Sequence, residues 1–201
     1  MGERRDRRSS ALKVGLIVDG PGDFAALKCR LGNAFKVLKT DGPRGHTVSV
    51  EQLVSRSRKQ ISILRTFRCT HVVLVTDFEA RHDDYGVFRQ RLATALGALD
   101  ATVTITCAVP NRMMENWYLA DIAYLATQRV FLKPNIAQKR YEGTMGKDEL
   151  KKLFLPRYTY NEVEHGAQLF SMIRFPEARQ YSESLSHFLD VLAACGVAEL
   201  T

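Results

Sequence analysis

The chain has 201 residues, 45% hydrophobic and 25% charged, with a formal net charge of +7. This is the length and composition of one soluble domain that can bury a core. No apolar run approaches the roughly 18–20 residues that span a bilayer, and the charged residues 1–10 lack the apolar stretch of a secretory signal.

A cytoplasmic chain without membrane association is therefore expected. The positive charge favours polyanionic partners such as nucleic acid. Arg4, Arg5, Arg7 and Arg8 supply much of that excess, in a segment, residues 1–12, expected to be a disordered basic tail. Cys29, Cys69, Cys107 and Cys195 show no CxxC spacing. That argues against a zinc ribbon or redox pair and for reduced, core or half-buried thiols.

Residues 13–18 form a short continuous apolar run ending at Asp19-Gly20-Pro21-Gly22, the pattern of a strand buried in a parallel sheet. From Asp23 a helical face begins with Phe24, Leu27 and Leu31, and Gly32-Asn33 is a plausible C-cap. Asp23 itself reads as the helix N-cap. A strand is expected over 34–40 and a loop over 41–45. Residues 50–67 predict a helix with Leu53, Ile61 and Leu64 inward and a basic face of Arg56, Arg58, Lys59 and Arg65. Residues 71–76 are the clearest strand and stop at Asp77. A helix over 85–99, a strand over 101–109 and a helix over 113–125 follow. The strand–helix alternation predicts a mostly parallel four-stranded sheet with helices on both faces. After residue 134 only helical patterns appear, at 148–154, 161–170 and 182–194. The expected organisation is an α/β core over 13–133 and a helical C-terminal extension over 134–201, packed on the sheet.

Parallel sheets bind ligands beyond the carboxyl ends of their strands. The first strand ends at Asp19, the third at Asp77 with Glu79 two residues on, and the fourth leads to Glu115. In an extended segment Asp77 and Glu79 point the same way. Converging carboxylates need a shared proton or a cation. Magnesium, or manganese, is the natural partner, because it takes carboxylate oxygens and fills its remaining positions with water and phosphate. Asp19, Asp77 and Glu79 are the candidate ligands. Glu115 is a candidate catalytic carboxylate or added ligand, or an anchor for Arg112. The candidate nucleic-acid contacts are Arg56, Lys59, Arg112, Lys133 and Lys139. Trp117 reads as a core residue and His82 as a loop residue. No Walker-type glycine loop is present, and Pro21 removes an amide donor from any phosphate cradle.

These stretches resemble the Toprim fold of topoisomerases, primases and phage-defence nucleases. Toprim domains carry a Glu after the first strand and a DxD pair after a later one. The matching stretches here are residues 18–23, Val-Asp-Gly-Pro-Gly-Asp, and residues 74–79, Leu-Val-Thr-Asp-Phe-Glu. A closer resemblance is to small uncharacterised Toprim-related bacterial proteins sometimes encoded beside ATPases. It rests on residues 108–121, with Pro110, Glu115, Trp117 and Leu119-Ala120-Asp121, and on the stretch 167–192. The resemblance implies a metal-dependent nuclease, with the Asp19 position in acid/base chemistry and the Asp77 and Glu79 positions on magnesium, and a place as an effector in phage defence. Asp19 replaces the expected Glu and Glu79 the expected second Asp. Those departures imply the alternative: a catalytically weak Toprim-like binding subunit that works with a partner ATPase or another effector. A haloacid-dehalogenase-type phosphatase is more distant, since Asp19-Gly20-Pro21 gives no Asp-x-Asp on the first strand.

Overall fold

In a computed structural model the described residues are 14–41, 47–99 and 102–197. The tail expected at 1–12 and most of the loop expected at 41–45 lie outside them. Four strands, β1 (Val14–Val18), β2 (Lys36–Lys39), β3 (His71–Val75) and β4 (Thr104–Ala108), form one sheet in the order β2-β1-β3-β4. Every pairing is parallel. The connections are α1 (Pro21–Leu31), α2 (Val50–Thr66) and α3 (Tyr85–Gly97). The expected α/β class is the observed one.

The strand order dictates where the helices go. The chain steps one way from β1 to β2 and the other way from β2 through β3 to β4. Right-handed crossovers then place α1 on one face and both α2 and α3 on the other. Side chains alternate accordingly. Ile17, Val72, Leu74 and Ile105 share a core with Leu53, Leu64, Phe88 and Leu92 of α2 and α3. Leu16, Val18, Val73 and Val75 share the opposite core with Leu27 of α1.

On that second face α1 alone cannot cover β3 and β4. The C-terminal part does so, with α4 (Glu115–Leu119), α5 (Ile122–Gln128), α6 (Gly146–Leu153), α7 (Glu164–Phe170), α8 (Phe175–Ala178) and α9 (Glu183–Ala194). Trp117, Phe170 and Phe188 are fully buried in the same cluster as the strand residues. Trp117 stacks on Phe188 at 4.9 Å between ring centroids and donates its indole N–H to Ser184 Oγ at 2.9 Å. Its polar atom is thereby satisfied, and a role in the core follows. Gly15 lets β1 and α2 pack closely, because a Cβ there would sit 2.7 Å from Leu64 Cδ1 and push that side chain aside.

Two local expectations are corrected. The helix expected over 113–125 is broken between α4 and α5 at Asp121, whose carboxylate takes the Arg174 backbone N–H and its guanidinium. Helix α1 starts at Pro21 after Gly20, so Asp23 is its third residue and not its N-cap. Proline suits a first turn because its missing N–H has no partner there. Asp23 reaches back to accept the Gly20 N–H at 3.2 Å. The short α8 was not visible in the sequence pattern. No helix among the described residues is long and apolar enough to cross a membrane.

Candidate functional site

The order β2-β1-β3-β4 reverses direction between β1 and β3, which opens a crevice at their carboxyl ends. Asp19 directly follows β1 and Asp77 lies two residues past β3. The register pairs Val18 with Lys39 on one side and with Val75 on the other. The next residues, Thr40 and Thr76, therefore flank Asp19. Thr40 donates its hydroxyl to Asp19 Oδ1 at 3.0 Å and Thr76 donates to Oδ2. Arg56 of α2 adds an ion pair to Oδ1 at 2.6 Å, with its side chain 9% exposed and that of Asp19 15%.

The other acids are less compensated. Asp77 accepts the Met114 backbone N–H at 3.0 Å, which ties the end of β3 to the start of α4. Glu115 is 7% exposed and accepts from the Tyr160 hydroxyl at 3.1 Å. Asp23 comes from the first turn of α1. Burial, then the charges of Glu115 and Asp19, push the Asp23 carboxyl up to about 7. Burial, then Asp23, Glu115, Glu79 and Asp19, hold the Asp77 carboxyl well above its ordinary value. Glu115 is raised as well, chiefly by burial, while Lys147 and the Tyr160 hydrogen bond pull the other way. Raised carboxyls, with Glu115 acting on Asp23 and both acting on Asp77, mark a pocket with more negative charge than its surroundings neutralise.

A lysine also senses these acids. Lys147 of α6 pairs with Glu162 at 2.6 Å. Burial opposes its charge, yet the bond to Glu162 and the charges of Glu115, Glu162 and Asp77 outweigh that and raise its pKa. Burial and the adjacent Glu115 keep the Tyr160 hydroxyl protonated far above the ordinary phenol range. The loop carrying Glu162 presses on α1, since a Cβ on Gly22 would lie 3.0 Å from Glu162 Cβ.

Glu79 does not continue an extended segment from Asp77. Its φ is +55°, in the left-handed region. A reciprocal clamp turns the backbone there: Glu79 N–H donates to the Arg112 carbonyl at 2.6 Å, and Arg112 Nη1 donates to the Glu79 carbonyl at 2.7 Å. Arg112 is itself left-handed, at φ +77°. Such conformations cost on the order of 1 kcal/mol or more each and persist where the surroundings impose them. Asp77 still senses the Glu79 charge. Glu115 is bonded to Tyr160, while Arg112, for which it was a candidate anchor, turns to the Glu79 carbonyl instead.

The expected nucleic-acid contacts are scattered. Arg56 is committed to Asp19 and does not belong to the exposed face of α2. Lys59 is exposed and pairs with Asp41 at 3.2 Å. Lys133 donates to the Lys152 carbonyl, and Lys139 lies over the Tyr141 ring. Asp23, Tyr160 and Glu162 were missed by sequence reasoning, whereas Lys147 stands in the basic stretch from Lys133 to Arg157 that reads as a phosphate guide, an acidic-partner dock or plain solvated surface. Asp23 carried one signal, its place four residues after Asp19; Tyr160 and Glu162 carried none.

Whether these residues suit magnesium or manganese depends on the donor set. Carboxylate oxygens are the hard donors those ions take, and one or two suffice when water and phosphate complete the shell. Among the described residues, no three Asp, Glu, His or Cys side chains already form a group able to hold an ion. The fit is thus to an ion held partly by water or substrate and not to a closed protein cage.

The fold and crevice define an α/β protein with an acidic pocket at a parallel-sheet switch point. The chain belongs to the DUF4276 family, a domain of unknown function, which it matches over residues 18–193. No match was found among curated proteins or among solved structures.

Proposed function

We propose that this chain is a Toprim-like, divalent-metal-dependent nuclease that hydrolyses phosphodiester bonds of nucleic acid. One observation carries the reading: Asp23, Asp77 and Glu115 at the switch-point crevice all have raised carboxyl pKa values, with Glu115 raising Asp23 and both Asp23 and Glu115 raising Asp77. Their unneutralised charge is what a divalent cation relieves. Asp77 would hold magnesium or manganese, with Asp23 or Glu115 beside it and Glu79 at the rim. When bound, the cation supplies charge neutralisation for a phosphate and a more acidic water. Tyr160 orients Glu115 through its hydroxyl. Lys147 sets a positive charge against the same pocket. The Toprim likeness is the support for a nucleic-acid substrate and for a place in phage defence. The four free thiols accord with a cytoplasmic setting.

A second reading has its own support. Asp19, at the position where the likeness expects the acid/base Glu, is saturated by Arg56, Thr40 and Thr76. That favours a catalytically weak binding subunit beside an ATPase. Manganese titration and nicking assays on DNA and RNA separate the two. The nuclease reading expects metal-dependent nicking that Asp77→Asn abolishes, together with at least tenfold weaker manganese binding. Cleavage that survives in Asp77→Asn sinks it. Manganese binding without cleavage in the unaltered chain selects the subunit.

A further inference from the structure

Asp19 follows the first strand of the crevice, yet its oxygens face away from a shared cation role. Oδ1 takes Arg56 and Thr40, and Oδ2 takes Thr76. The register of three adjacent strands builds this arrangement, with Thr40 and Thr76 one residue beyond the partners of Val18. A guanidinium and two hydroxyls around a pair of oxygens is an oxyanion cradle. Guanidinium geometry matches carboxylate and phosphate equally well. Asp19 fills the cradle from within the chain.

Asp19 also stays near the acidic pocket, for both Asp23 and Asp77 sense its charge. Among the described residues no three acids are grouped to hold an ion, and Asp19 is a carboxylate diverted from that pocket. Removing Asp19 from Arg56 with no replacement would strip a nearly buried guanidinium of its paired carboxylate, which is strongly unfavourable. An incoming phosphate removes that obstacle.

We infer that Arg56, Thr40 and Thr76 form a binding subsite for a substrate phosphate, filled at rest by Asp19, and that phosphate entry releases Asp19 toward Asp23 and Asp77 to complete the cation site. The release half rests on the metal-dependent reading above; the subsite half does not. Anion and cation binding are then linked, each tightening the other by the same factor.

The test uses the full chain and sulfate, a phosphate stand-in that leaves manganese in solution. In metal-free protein, Asp19→Asn vacates the charge in the cradle. Calorimetry should show sulfate binding about tenfold tighter than in the unaltered chain, within the roughly 5–150-fold range of site coupling. Adding Arg56→Met should abolish that binding. If Asp19→Asn folds poorly, Asp19→Ser read by the sulfate-induced rise in Tm serves equally. Sulfate binding no tighter than in the unaltered chain overturns the subsite. In a second arm, manganese binding is followed by electron paramagnetic resonance. Sulfate should tighten it about tenfold in the unaltered chain, whereas Arg56→Met should tighten it without sulfate and erase the sulfate effect. Manganese binding that sulfate leaves unchanged or weakens overturns the release. If manganese does not bind at all while Asp19→Asn gains sulfate, the metal reading falls, the release falls with it, and the subsite stands.

Discussion

Asp23→Asn is the sharpest probe of the acidic pocket. In the folded chain the Asp23 carboxyl is pushed up to about 7 from its ordinary 3.8, first by burial and then by Glu115 and Asp19. A folded-state value above the unfolded one means that the native state holds the proton more tightly. Stability from this group is therefore fully present below about pH 4 and is lost as pH rises toward 7. Each unit corresponds to about 1.4 kcal/mol, so the full shift is on the order of 4 kcal/mol. Asp23 is half-buried, and solvent screening reduces the expected loss to about 2 kcal/mol. Asp77 and Glu115, shifted the same way, steepen the fall. Asn at position 23 removes the titrating group and can still accept the Gly20 N–H through its amide oxygen. Urea unfolding in a chelator at pH 5 and pH 7.5 measures the effect. The unaltered chain should lose stability between the two, and Asp23→Asn should lose about 2 kcal/mol less. Equal slopes for the two proteins would refute the claim that Asp23 carries uncompensated charge.

Other consequences follow from packing. Arg174→Ala leaves the buried Asp121 carboxylate without the guanidinium that binds both its oxygens, and should cost about 3 kcal/mol in urea unfolding. Gly146→Ala drives a Cβ to 2.4 Å from Asn116 Oδ1 and 2.9 Å from its backbone nitrogen; a loss of about 1–3 kcal/mol is expected by thermal unfolding, as for other overpacked sites. Among the thiols, exposed Cys29 should react with a colorimetric disulfide reagent in the native state. Cys107 should wait for unfolding, since burial pushes its thiol up to about 12.

Much of the frame was legible because it is local. Buried parallel strands are short apolar runs, and turn formers end them, so β1 and β3 and the acids after them, Asp19 and Asp77, could be read directly. Caps were less secure. Gly20 and Pro21 open α1, and Asp23 then falls on its third position, facing the crevice. Helical periodicity placed Arg56 with Arg58 and Lys59. Yet Arg56 adjoins the buried Leu53, Ser57 and Gln60 on the helix surface, and only the strand beneath it shows that Asp19 is waiting there.

The sequence by itself determined the alternating architecture and the presence of acids beyond two strand ends, because both depend on neighbours a few residues away. The tertiary structure alone decided which acids are neutralised. Asp19 owes its partners to residues 21, 37 and 57 positions along the chain, in Thr40, Arg56 and Thr76. Glu115 owes Tyr160 to a loop 45 positions away. Charge interactions act through space and weaken with separation in space, so strand register and helix placement separate Asp19, which is paired, from Asp23, Asp77 and Glu115, whose carboxyls are raised.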